Sequence, residues 1–537
     1  MFNFYYVLGL LWLIGTLKYV LFWIYLWQLK EYHIGRFRDH FSTEKGRKLL
    51  FNPLLTFKII LLFFVGLNQI FIPVLFLLYV FETVVFLRQV YKKSFKKPVK
   101  TAKSLFLTGI SLLLVILFIF WAQNKNLIWL LTFDIFVPVI ISVIVLIFQT
   151  FFVLLRNRTI KKAGERLKQF PNLKVIAITG SFGKTSTKEF LTTILSKKYR
   201  VLSTTKHQNS EIGIANCILN DLNNDHEIFI AEVGAYNKGK VKEVCNILKP
   251  KIGIVTGVNE QHMALFGSLE NLLSAEGGRE LAGFLEKDGL LVVNGDNKHC
   301  LDLVKRFNGK EKIYTESNKT INADIWTEDI VAKKTYISFL AKNKKGELAS
   351  FSVNVLGKQN VQNLLGAILT ASEIGMSFAE ISEAVKNIKE AQAGMTLDAG
   401  KHGINIIDSS YSSNPDGVYA DLDYLSLFET NPTSPRLRGA KKIIVMPCLI
   451  ELGKKSSYIH EQIGKKIGKV CNLAVITSKD YFEQIKKGAK ESGMNESNIL
   501  LCDKPQDIYS IITLFAKSGD AVLLEGRVPA QIIKLLK

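Results

Sequence analysis

Acidic residues are scarce in the first third of this 537-residue chain. Residues 1–174 contain 6 Asp and Glu against 23 Lys and Arg, so +17 of the formal net charge of +22 lies in that part. The rest of the chain carries only +5, which is ordinary for a water-soluble domain. The basic charge is therefore confined to one region, and we expect no nucleic-acid partner.

Paired cysteines are also missing. No two of the six cysteines form a Cys-x-x-Cys pair, and all of them lie in the later part of the chain: Cys217, Cys245, Cys300, Cys448, Cys471 and Cys502. We therefore expect reduced thiols with a structural role, in a cytosolic compartment that does not favour disulfides.

Three further motifs are absent. The first apolar run has no small-residue cleavage site and is followed by more such runs, so a removable signal peptide is not indicated. There is no Gly-x-Gly-x-x-Gly, which argues against an independent dinucleotide site. There is no second signature loop of the kind found in transporter ATPases, which argues against that class.

Long hydrophobic runs, in contrast, are abundant before residue 156. About 20 residues of helix cross the hydrocarbon layer of a bilayer, and five runs are long enough or nearly so: 4–28, 53–68, 69–87, 104–123 and 128–155. The second and third are short and meet at "GLNQIFIP". They could instead form one long tilted helix or a re-entrant pair.

The basic residues favour five membrane spans over four. Residues 29–54, 88–103 and 156–174 contain six, seven and seven Lys and Arg, whereas the connections near 66–72 and 124–127 contain none and one, Lys125. Positive charge stays on the cytoplasmic side of a membrane. Five spans with the amino terminus outside place all three basic stretches in the cytoplasm, together with everything after residue 156. We therefore expect a multi-pass protein of the cell membrane, with the lipid bilayer as a partner.

Two ionisable residues, Glu82 and Asp134, fall inside these predicted spans. A charged group in a membrane is costly, so each is a functional candidate. The alternative is a residue near a helix end or facing a neighbouring helix.

A phosphate-binding loop follows the apolar region, in "VIAITGSFGKTSTKEF" (175–190). The run 175–179 is typical of a buried parallel strand. Gly180 and Gly183 permit a tight turn whose N–H groups approach phosphate oxygens, Lys184 reaches the outer phosphates, and the Thr185 hydroxyl holds Mg²⁺. The general Walker A spacing would need glycine where Ile178 stands, so the loop is a shorter variant. An incidental Gly-Lys-Thr turn is the alternative.

Polar residues end the strands that come next. "EIFIAEVG" places Glu232 at the carboxyl end of a strand, where a carboxylate can bind Mg²⁺ directly or through water. His262 follows the strand "KIGIVTGV", and Asn294 ends "LLVVN". We expect His262 to be a site residue, although a single histidine is often structural.

Several ordered motifs together resemble the Mur ligase family of ATP-dependent amide-forming enzymes, and within it the ligases that add D-alanyl-D-alanine. The resemblance covers about residues 173–537 and is carried by these stretches: "TGSFGKTS", "NSEIG", "EVGA", "FGSLE", "NGDN", "LGKQNVQN", "IDSSYSSNPDG" and "ELGKKSSYIH".

The resemblance implies a chemistry and a set of site residues. ATP phosphorylates a substrate carboxylate, and an amine then attacks the acyl phosphate to form an amide. Lys184, Glu232 and His262 would be catalytic, and Thr185, Glu232, His262 and Glu276 would hold metal. The nucleotide would bind at the loop and near four later residues: Gly180, Ser181, Phe182, Gly183, Lys184, Thr185, Ser186, Asn294, Asn360, Asn363 and Asp408.

Glu276 stands about where much of the family has a carbamylated lysine that binds a second Mg²⁺. A glutamate is a permanent carboxylate on a shorter stem, and Mg²⁺ accepts either oxygen ligand. Gly277 and Gly278 could allow the backbone movement that the shorter reach requires. The alternatives are a solvated glutamate on a helix, or Glu280 as the true counterpart.

The chain departs from the family pattern in other places too. Gln359 replaces a histidine, Ser409 replaces one of two adjacent acids, and Gly394 lies about where a nucleotide-contacting arginine is expected. The amino-terminal domain that binds the UDP-sugar end of the substrate is replaced by the apolar region, which argues against a soluble UDP-linked substrate.

These observations predict a multi-domain chain, with an α-helical membrane domain, an α/β P-loop domain and an α/β Rossmann-like domain. The predicted bounds are 1–155 for the membrane domain, 156–173 for a basic linker, 174–390 for the ATP-binding domain and 391–537 for the carboxy-terminal domain.

The leading hypothesis is a membrane-anchored ligase that joins an amino acid or dipeptide to a cell-wall or polymer precursor, with ATP and Mg²⁺ as cofactors. A poly-γ-glutamate synthase-like ligase and a nucleotide-binding membrane scaffold without ligase activity are the alternatives.

Overall fold

A computed structural model describes residues 2–41, 43–67, 69–92, 94–122, 126–205, 208–259, 262–286, 288–317, 322–411, 414–428 and 439–537. The chain forms two compact units, Met1–Asn157 and Arg158–Lys537. Lys125, which enters the predicted topology, lies outside the described residues.

The first unit is helical. Its helices are α1 (Phe2–Leu29), α2 (Ile34–His40), α3 (Glu44–Leu50), α4 (Pro53–Leu67), α5 (Ile72–Tyr91), α6 (Ala102–Ala122) and α7 (Ile128–Leu167). Within the described residues, five segments are long and apolar enough to cross a membrane: Tyr6–Leu29, Gly46–Val65, Ile72–Tyr91, Ala102–Ala122 and Ile128–Leu167. α4 and α5 are separate helices joined by a 3₁₀ turn at Gln69–Phe71, so one long tilted helix is excluded.

Tryptophans of α1 tie the first unit together. The Trp12 Nε1–H group donates to the carbonyl oxygen of Leu130 at 2.8 Å, and the Trp27 Nε1–H group donates to Ser142 Oγ at 3.1 Å. Both indoles are buried, and each partner belongs to α7. An indole needs a hydrogen-bond acceptor when it is buried, so these bonds fix where α1 lies on α7.

The second unit contains two sheets. The larger has the order β2-β3-β1-β4-β5-β6-β7-β8-β9, parallel up to the β6–β7 pair and antiparallel beyond it. Its strands are β1 (Lys174–Thr179), β2 (Val201–Ser203), β3 (Ile228–Glu232), β4 (Ile252–Val255), β5 (Leu290–Asn294), β6 (Lys310–Thr315), β7 (Ile325–Ala332), β8 (Ile337–Asn343) and β9 (Leu348–Val353).

Helices cover both faces of this sheet. They are α8 (Lys184–Leu195), α9 (Glu211–Asn220), α10 (Lys240–Leu248), α11 (Met263–Phe266), α12 (Leu269–Ala275), α13 (Arg279–Ala282), α14 (Lys298–Val304), α15 (Asn360–Ile374) and α16 (Phe378–Ala384). Side chains of a strand alternate between faces. Ile176 and Ile178 therefore pack with α8 and α15, whereas Val175 and Ala177 pack on the opposite face.

The smaller sheet has the order β10-β11-β15-β12-β13-β14 and is parallel except for the β10–β11 pair. Its strands are β10 (Thr396–Ala399), β11 (Asn405–Ser409), β12 (Lys442–Met446), β13 (Leu473–Ile476), β14 (Ile499–Leu501) and β15 (Ala521–Glu525). Its helices are α17 (Pro415–Ser426), α18 (Ser456–Val470), α19 (Phe482–Glu491), α20 (Pro505–Phe515) and α21 (Ala530–Leu536).

The predicted alternation of strands and helices is present in both sheets. Five apolar runs after residue 390 predict strands, and they correspond to β11–β15: "INIIDSS", "KKIIVMP", "LAVITS", "NILLCD" and "AVLLEG". The strand β10 was not predicted. The antiparallel strands β7–β9 were not anticipated either. The segment expected to be a basic linker continues α7 as far as Leu167.

Candidate active site

Parallel strands bring the predicted phosphate loop and its polar neighbours to one edge of the larger sheet. Ile178 of β1 lies beside Glu232 of β3, and Val255 of β4 lies beside Val293 of β5. The strands therefore end close together, and the residues that follow them meet at the carboxyl edge of the sheet. Ligands of α/β sheets bind at this edge.

The loop between β1 and α8 has an unusual backbone at both glycines. The φ angle is +139° at Gly180 and +75° at Gly183, a region that other residues rarely adopt. A methyl group on Gly183 would also overlap the Asn363 side chain, and one on Gly180 would overlap the Thr256 hydroxyl. The loop thus turns tightly into α8, whose first N–H groups form an anion-binding end.

Lys184 turns its ammonium group back over this loop. Its Nζ donates to the carbonyl oxygen of Gly180 and lies 3.5 Å from that of Ser181. The ammonium therefore lies within the loop that would surround a phosphate. Since its stem is flexible, rotation can carry it to a phosphate oxygen.

Thr185 is joined to Glu232. The Thr185 hydroxyl donates to Glu232 Oε2 at 2.9 Å, and Asn209 Nδ2 donates to Glu232 Oε1 at 3.1 Å. Buried Lys188 lies 3.8 Å from the same carboxylate. Glu232 is 5% exposed, so these groups hold a buried carboxylate beside the first turn of α8.

Glu276 lies on the opposite side of the loop. The Ser181 hydroxyl donates to Glu276 Oε2 at 2.7 Å, and His262 Nδ1 lies 2.9 Å from Glu276 Oε1. Burial opposes ionisation, but hydrogen bonds from His262 and Ser181 and the charges of His262 and Lys184 outweigh it and lower the pKa of Glu276. The structure therefore brings Ser181 and His262 into contact with the carboxylate of Glu276.

Glu280, the alternative to Glu276, has a different set of contacts. Its carboxylate accepts the backbone N–H of Gly239 at 2.7 Å and that of Lys242 at 2.9 Å. It also accepts the Ser274 hydroxyl at 3.0 Å. These bonds cap the amino end of α10, which is a structural role. The geometry favours Glu276 over Glu280, and it contradicts the idea that Glu276 is a solvated helix residue, since it is 2% exposed.

The three predicted asparagines hold backbone and side chains near the loop. Asn294 Nδ2 donates to the carbonyl oxygen of Thr256 at 2.9 Å, which joins the ends of β4 and β5. Asn360 Nδ2 donates to the carbonyl oxygen of Leu356, and Asn363 Nδ2 donates to Asn360 Oδ1 at 3.0 Å. Asn363 packs against Gly183, so this pair supports the loop from α15.

Asp408 lies at the carboxyl end of β11, with its own set of partners. It accepts the Ser410 hydroxyl at 2.6 Å and the Lys537 ammonium at 3.0 Å. Burial opposes ionisation, but these two groups lower the pKa of Asp408. The carboxylate is therefore ionised and already paired within the carboxy-terminal sheet.

Two departures from the family pattern meet at Asp421. Gln359 Nε2 donates to Asp421 Oδ1 at 3.3 Å, and the Ser409 hydroxyl donates to Asp421 Oδ2. Burial raises the pKa of Asp421, although hydrogen bonds with Glu525 and Ser409 oppose the shift. Gln359 immediately precedes α15 and Asp421 lies on α17, so this contact joins the two α/β domains.

The third departure, Gly394, ends a short 3₁₀ helix with a φ angle of +84°. A methyl group there would meet no atom within 4 Å, so the space around it is open. The preceding carbonyl, that of Ala393, accepts the Ser186 hydroxyl at 3.4 Å. Gly394 therefore follows a residue that touches α8, but it brings no positive charge there.

Sequence reasoning missed several contributors to the site. Asn209 and Lys188 hold Glu232, and Asp421 receives both Gln359 and Ser409. Asn209 lies in the "NSEIG" stretch, which was recognised as a motif without a role for its asparagine. The partners of Asp421 are distant in sequence, so no local pattern marks it.

The donor set fits ATP and Mg²⁺. The loop offers N–H groups and a lysine for phosphates, and Thr185 with Glu232 offers hard oxygen ligands on one side. Glu276 offers a second carboxylate on the other. No group of three His, Cys, Asp or Glu side chains converges in the described part of the chain. Such a group is not required, because Mg²⁺ is commonly held by one or two carboxylates together with phosphate oxygens.

Comparison with known proteins gives concordant results. Residues 178–371 match the Mur ligase middle domain. The chain is 24% identical over 364 residues to the UDP-N-acetylmuramoyl-tripeptide–D-alanyl-D-alanine ligase of Bacillus subtilis. The aligned region covers 68% of this chain and 75% of that protein. It is 33% identical to the ligase of the same name from Borreliella burgdorferi, over 54% of this chain and 59% of that protein. The chain thus spans less than two thirds of some of these relatives.

Solved structures show the same fold. MurF from Acinetobacter baumannii superimposes with a TM-score of 0.62 at 21% identity, covering 71% of this chain and 80% of that one. MurF from Thermotoga maritima in complex with ADP gives a TM-score of 0.61 at 22% identity, and the aligned region covers 71% of this chain and 83% of that one. At this level of identity the likeness establishes a shared fold.

Proposed function

The chain is a member of the Mur ligase family, related to the D-alanyl-D-alanine-adding ligases, and from this premise we propose that it is a membrane-anchored, ADP-forming ligase acting on a peptidoglycan precursor. Mur ligases of this branch are ATP-dependent, ADP-forming enzymes that use ATP and Mg²⁺. The muramoyl-peptide and D-alanyl-D-alanine named for the relatives are the substrates we propose here.

One observation carries the proposal. Two buried carboxylates, Glu232 and Glu276, lie on opposite sides of the phosphate loop, and each accepts a hydrogen bond from a loop or first-turn hydroxyl. A turn that had only a structural role and bound no nucleotide would not need two buried carboxylates beside it. Such charges are expected where metal ions neutralise phosphate oxygens during phosphoryl transfer.

The proposed reaction has two steps. A carboxylate oxygen of the precursor attacks the γ-phosphorus of ATP, the bond to the β–γ bridging oxygen breaks, and ADP leaves. The amine of the dipeptide then attacks the acyl carbon, phosphate leaves, and the amine loses a proton to give the amide. Phosphoryl transfer of this kind depends on positioning and charge neutralisation rather than on a protein nucleophile.

Individual residues have distinct tasks in this scheme. The N–H groups of 180–185 and the Lys184 ammonium bind the phosphates. Thr185 and Glu232 would hold one Mg²⁺, and Glu276 with His262 would hold a second. Mg²⁺, when bound, neutralises charge on the phosphate oxygens.

The carboxy-terminal sheet and the asparagines complete the proposed site. Asn294, Asn360 and Asn363 form the wall against which the nucleotide would lie. The carboxy-terminal domain would close over ATP and bring the amine. Asn259 Nδ2 already donates to Asp416 Oδ2 at 2.8 Å, which links the loop after β4 to the first turn of α17.

The proposed location is the cytoplasmic face of the cell membrane. Five segments of the first unit are long and apolar enough to cross a membrane, and the three basic stretches alternate with uncharged or nearly uncharged connections. A precursor that is itself held at the membrane, by a lipid, suits a ligase whose ATP module directly follows these segments.

Substrate-dependent ADP release tests the proposal. The full-length chain in detergent should release ADP only when ATP, Mg²⁺, a muramoyl tripeptide acceptor and D-alanyl-D-alanine are all present. Parallel reactions compare lipid-linked and UDP-linked acceptors, and a further reaction supplies glutamate alone. Release with glutamate alone would favour a poly-γ-glutamate synthase. ATP binding without release in any reaction would contradict the ligase and favour the scaffold, to which the changes at Gln359, Ser409 and Gly394 would then be attributed.

A further inference from the structure

Three charged side chains lie together inside the apolar first unit. Lys58 of α4 has its Nζ 2.8 Å from Glu82 Oε1 of α5 and 2.5 Å from Asp134 Oδ2 of α7. The side chains are 4%, 1% and 1% exposed. Burial of ions in an apolar environment is costly, so an anchor that only holds a protein in a membrane has no need of such a cluster.

Aromatic residues complete the surroundings of the cluster. The Tyr19 hydroxyl of α1 donates to Glu82 Oε1 at 2.5 Å. Lys58 Nζ lies 4.6 Å from the centre of the Tyr19 ring and 6.0 Å from that of Tyr79. Helices α1, α4, α5 and α7 therefore all contribute, and the ammonium group is satisfied by carboxylates and ring faces.

The carboxylates are not fully satisfied. Within the described part of the chain, Glu82 Oε2 and Asp134 Oδ1 have no hydrogen-bond partner, and neither do the hydroxyls of Tyr79 and Thr16. Tyr79 is 1% exposed and Thr16 is 1% exposed. Glu82 Oε2 points toward α1, since a methyl group on Gly15 would lie 3.7 Å from it. A carboxylate oxygen can only accept, so what these atoms lack is a hydrogen-bond donor or a positive charge.

Charge counting leads to the same conclusion. One ammonium and two carboxylates leave the cluster with one negative charge. Lys18 of α1 interacts with Glu82 and Asp134 through its charge, but within the described residues it makes no ion pair within 4 Å with either carboxylate. Its Nζ lies 5.4 Å from the Tyr19 ring centre, at a partly exposed position. On α6, which packs on α1, Lys103 donates instead to Gln149 at 2.9 Å. Lys58 is therefore the cation in contact with the two carboxylates in the described residues, and one oxygen of each carboxylate is left without a partner.

We propose that the Lys58–Glu82–Asp134 cluster binds one monovalent cation, a proton or an alkali metal ion, at the unpaired oxygens of Glu82 and Asp134. The unpartnered hydroxyl of Tyr79, whose ring centre lies 6.0 Å from Lys58 Nζ, provides a further oxygen ligand or hydrogen-bond partner. The first unit thus has a cation-binding activity in addition to carrying the ligase. This proposal does not depend on the ligase activity.

Tryptophan fluorescence gives a direct readout, because five of the six tryptophans lie before residue 130, the exception being Trp326. Thermal unfolding of the full-length chain in detergent is followed at constant ionic strength while choline chloride is exchanged for NaCl or KCl, and separately across a pH series in choline. A site that binds the cation only in the folded state should raise the midpoint of thermal unfolding. The expected rise is about 3–5 °C for each tenfold increase in free cation concentration above the dissociation constant. A response to Na⁺ or K⁺ identifies a metal ion, and a response to pH alone identifies a proton.

Two isosteric variants and one control complete the experiment. Glu82→Gln and Asp134→Asn remove the excess negative charge, so each should abolish the cation response. Lys18→Gln lies outside the cluster and should keep it. The proposal is overturned if the wild-type midpoint responds to neither cations nor pH. It is also overturned if the response survives in both carboxylate variants or disappears in Lys18→Gln.

Discussion

The hydroxyl of Ser181, in the phosphate loop, donates a hydrogen bond of 2.7 Å to Glu276, which lies 95 residues further along the chain. His262 holds the other oxygen of the same carboxylate. A permanent carboxylate is therefore fixed beside the loop without any modification. This arrangement leads to the first prediction, because a carbamylated lysine would depend on CO₂ and a glutamate does not.

Activity of the full-length chain should be independent of CO₂, and Glu276→Ala should lose turnover by about 100-fold or more, as when other charge-stabilising groups are removed. The measurement is ADP release in CO₂-stripped buffer with and without bicarbonate. Glu276→Lys makes a useful comparison, since its lysine could be carbamylated and its activity should then rise with bicarbonate. Glu280→Ala should instead affect stability, since that carboxylate caps α10. Wild-type turnover in Glu276→Ala, or stimulation of the unmodified chain by bicarbonate, would contradict the prediction.

Lys184→Ala should weaken ATP binding about tenfold or more while leaving the thermal midpoint unchanged. The ammonium group lies over the loop and supports no core packing, so its loss removes a charge-assisted bond to phosphate, worth about 1.5–3 kcal/mol. Isothermal titration with a non-hydrolysable ATP analogue measures the change. Lys197→Ala is a matched control, because this exposed lysine follows the carboxyl end of the same helix. Equal affinity in the two variants would show that Lys184 does not bind phosphate.

The carboxy-terminal domain should lose stability in mild acid through His460. This buried histidine has its Nε2 accepting the Leu449 N–H at 2.9 Å and its Nδ1 at 2.6 Å from the Ser456 carbonyl oxygen, so it is bound as the neutral ring. Burial lowers the pKa of His460 below its usual value of 6.5, although Ser456 and Asp480 oppose the shift. The unfolded chain therefore binds the proton first, and stability is present above about pH 6.5 and is lost as pH falls below it.

Hydrogen exchange in α18 measures this effect. After correction for intrinsic exchange, protection of residues 456–470 should decrease below about pH 6.5, with a slope that approaches about 1.4 kcal/mol per pH unit. His460→Gln keeps an acceptor and a donor but does not titrate, so its protection should be less dependent on pH. An identical pH profile in the variant would assign the acid sensitivity to other groups.

Membrane topology can be tested with single cysteines. Asn126→Cys should react with an impermeant maleimide in intact cells, whereas Lys96→Cys should react only after permeabilisation, because the basic stretches face the cytoplasm. The natural cysteines give little background, since five are buried and Cys502, which is partly exposed, can be replaced by serine. Equal labelling of both positions would rule out the five-span arrangement with the amino terminus outside.

The sequence was informative where one local pattern decides the structure. β1, β3, β4 and β5 are mainly apolar runs, and each ends at or just before a polar residue that the parallel sheet carries to one edge. The strands β7–β9 were not predicted, because their buried residues alternate with polar ones in a region without motifs. Contacts between distant residues were also out of reach. The sequence carried no prediction for Lys58, because its partners, Glu82 and Asp134, are 24 and 76 residues away.

The extent of the ATP-binding unit provides the last prediction. The change in charge near residue 174 predicts that a fragment of residues 173–537 retains ATP binding without the membrane domain. In the structure, the second unit begins at Arg158, and the last turns of α7 pack against its core through Ile160, Ala163 and Leu167. Arg166 also donates to the carbonyl oxygen of Leu222 at 2.6 Å.

Residues 158–537 should therefore fold without the first unit and bind an ATP analogue, whereas 174–537 should be less stable by about 3–5 kcal/mol, the value of burying two large aliphatic side chains and a smaller one. Urea unfolding of both fragments measures the difference, and calorimetric titration measures nucleotide affinity. Ile160→Ala in the longer fragment should reproduce part of the loss, whereas Lys161→Ala, an exposed neighbour on the same helix, should not. Equal stability of the two fragments would mean that α7 contributes nothing to the second unit. A folded 158–537 that binds no nucleotide would show that the ATP site needs residues of the first unit.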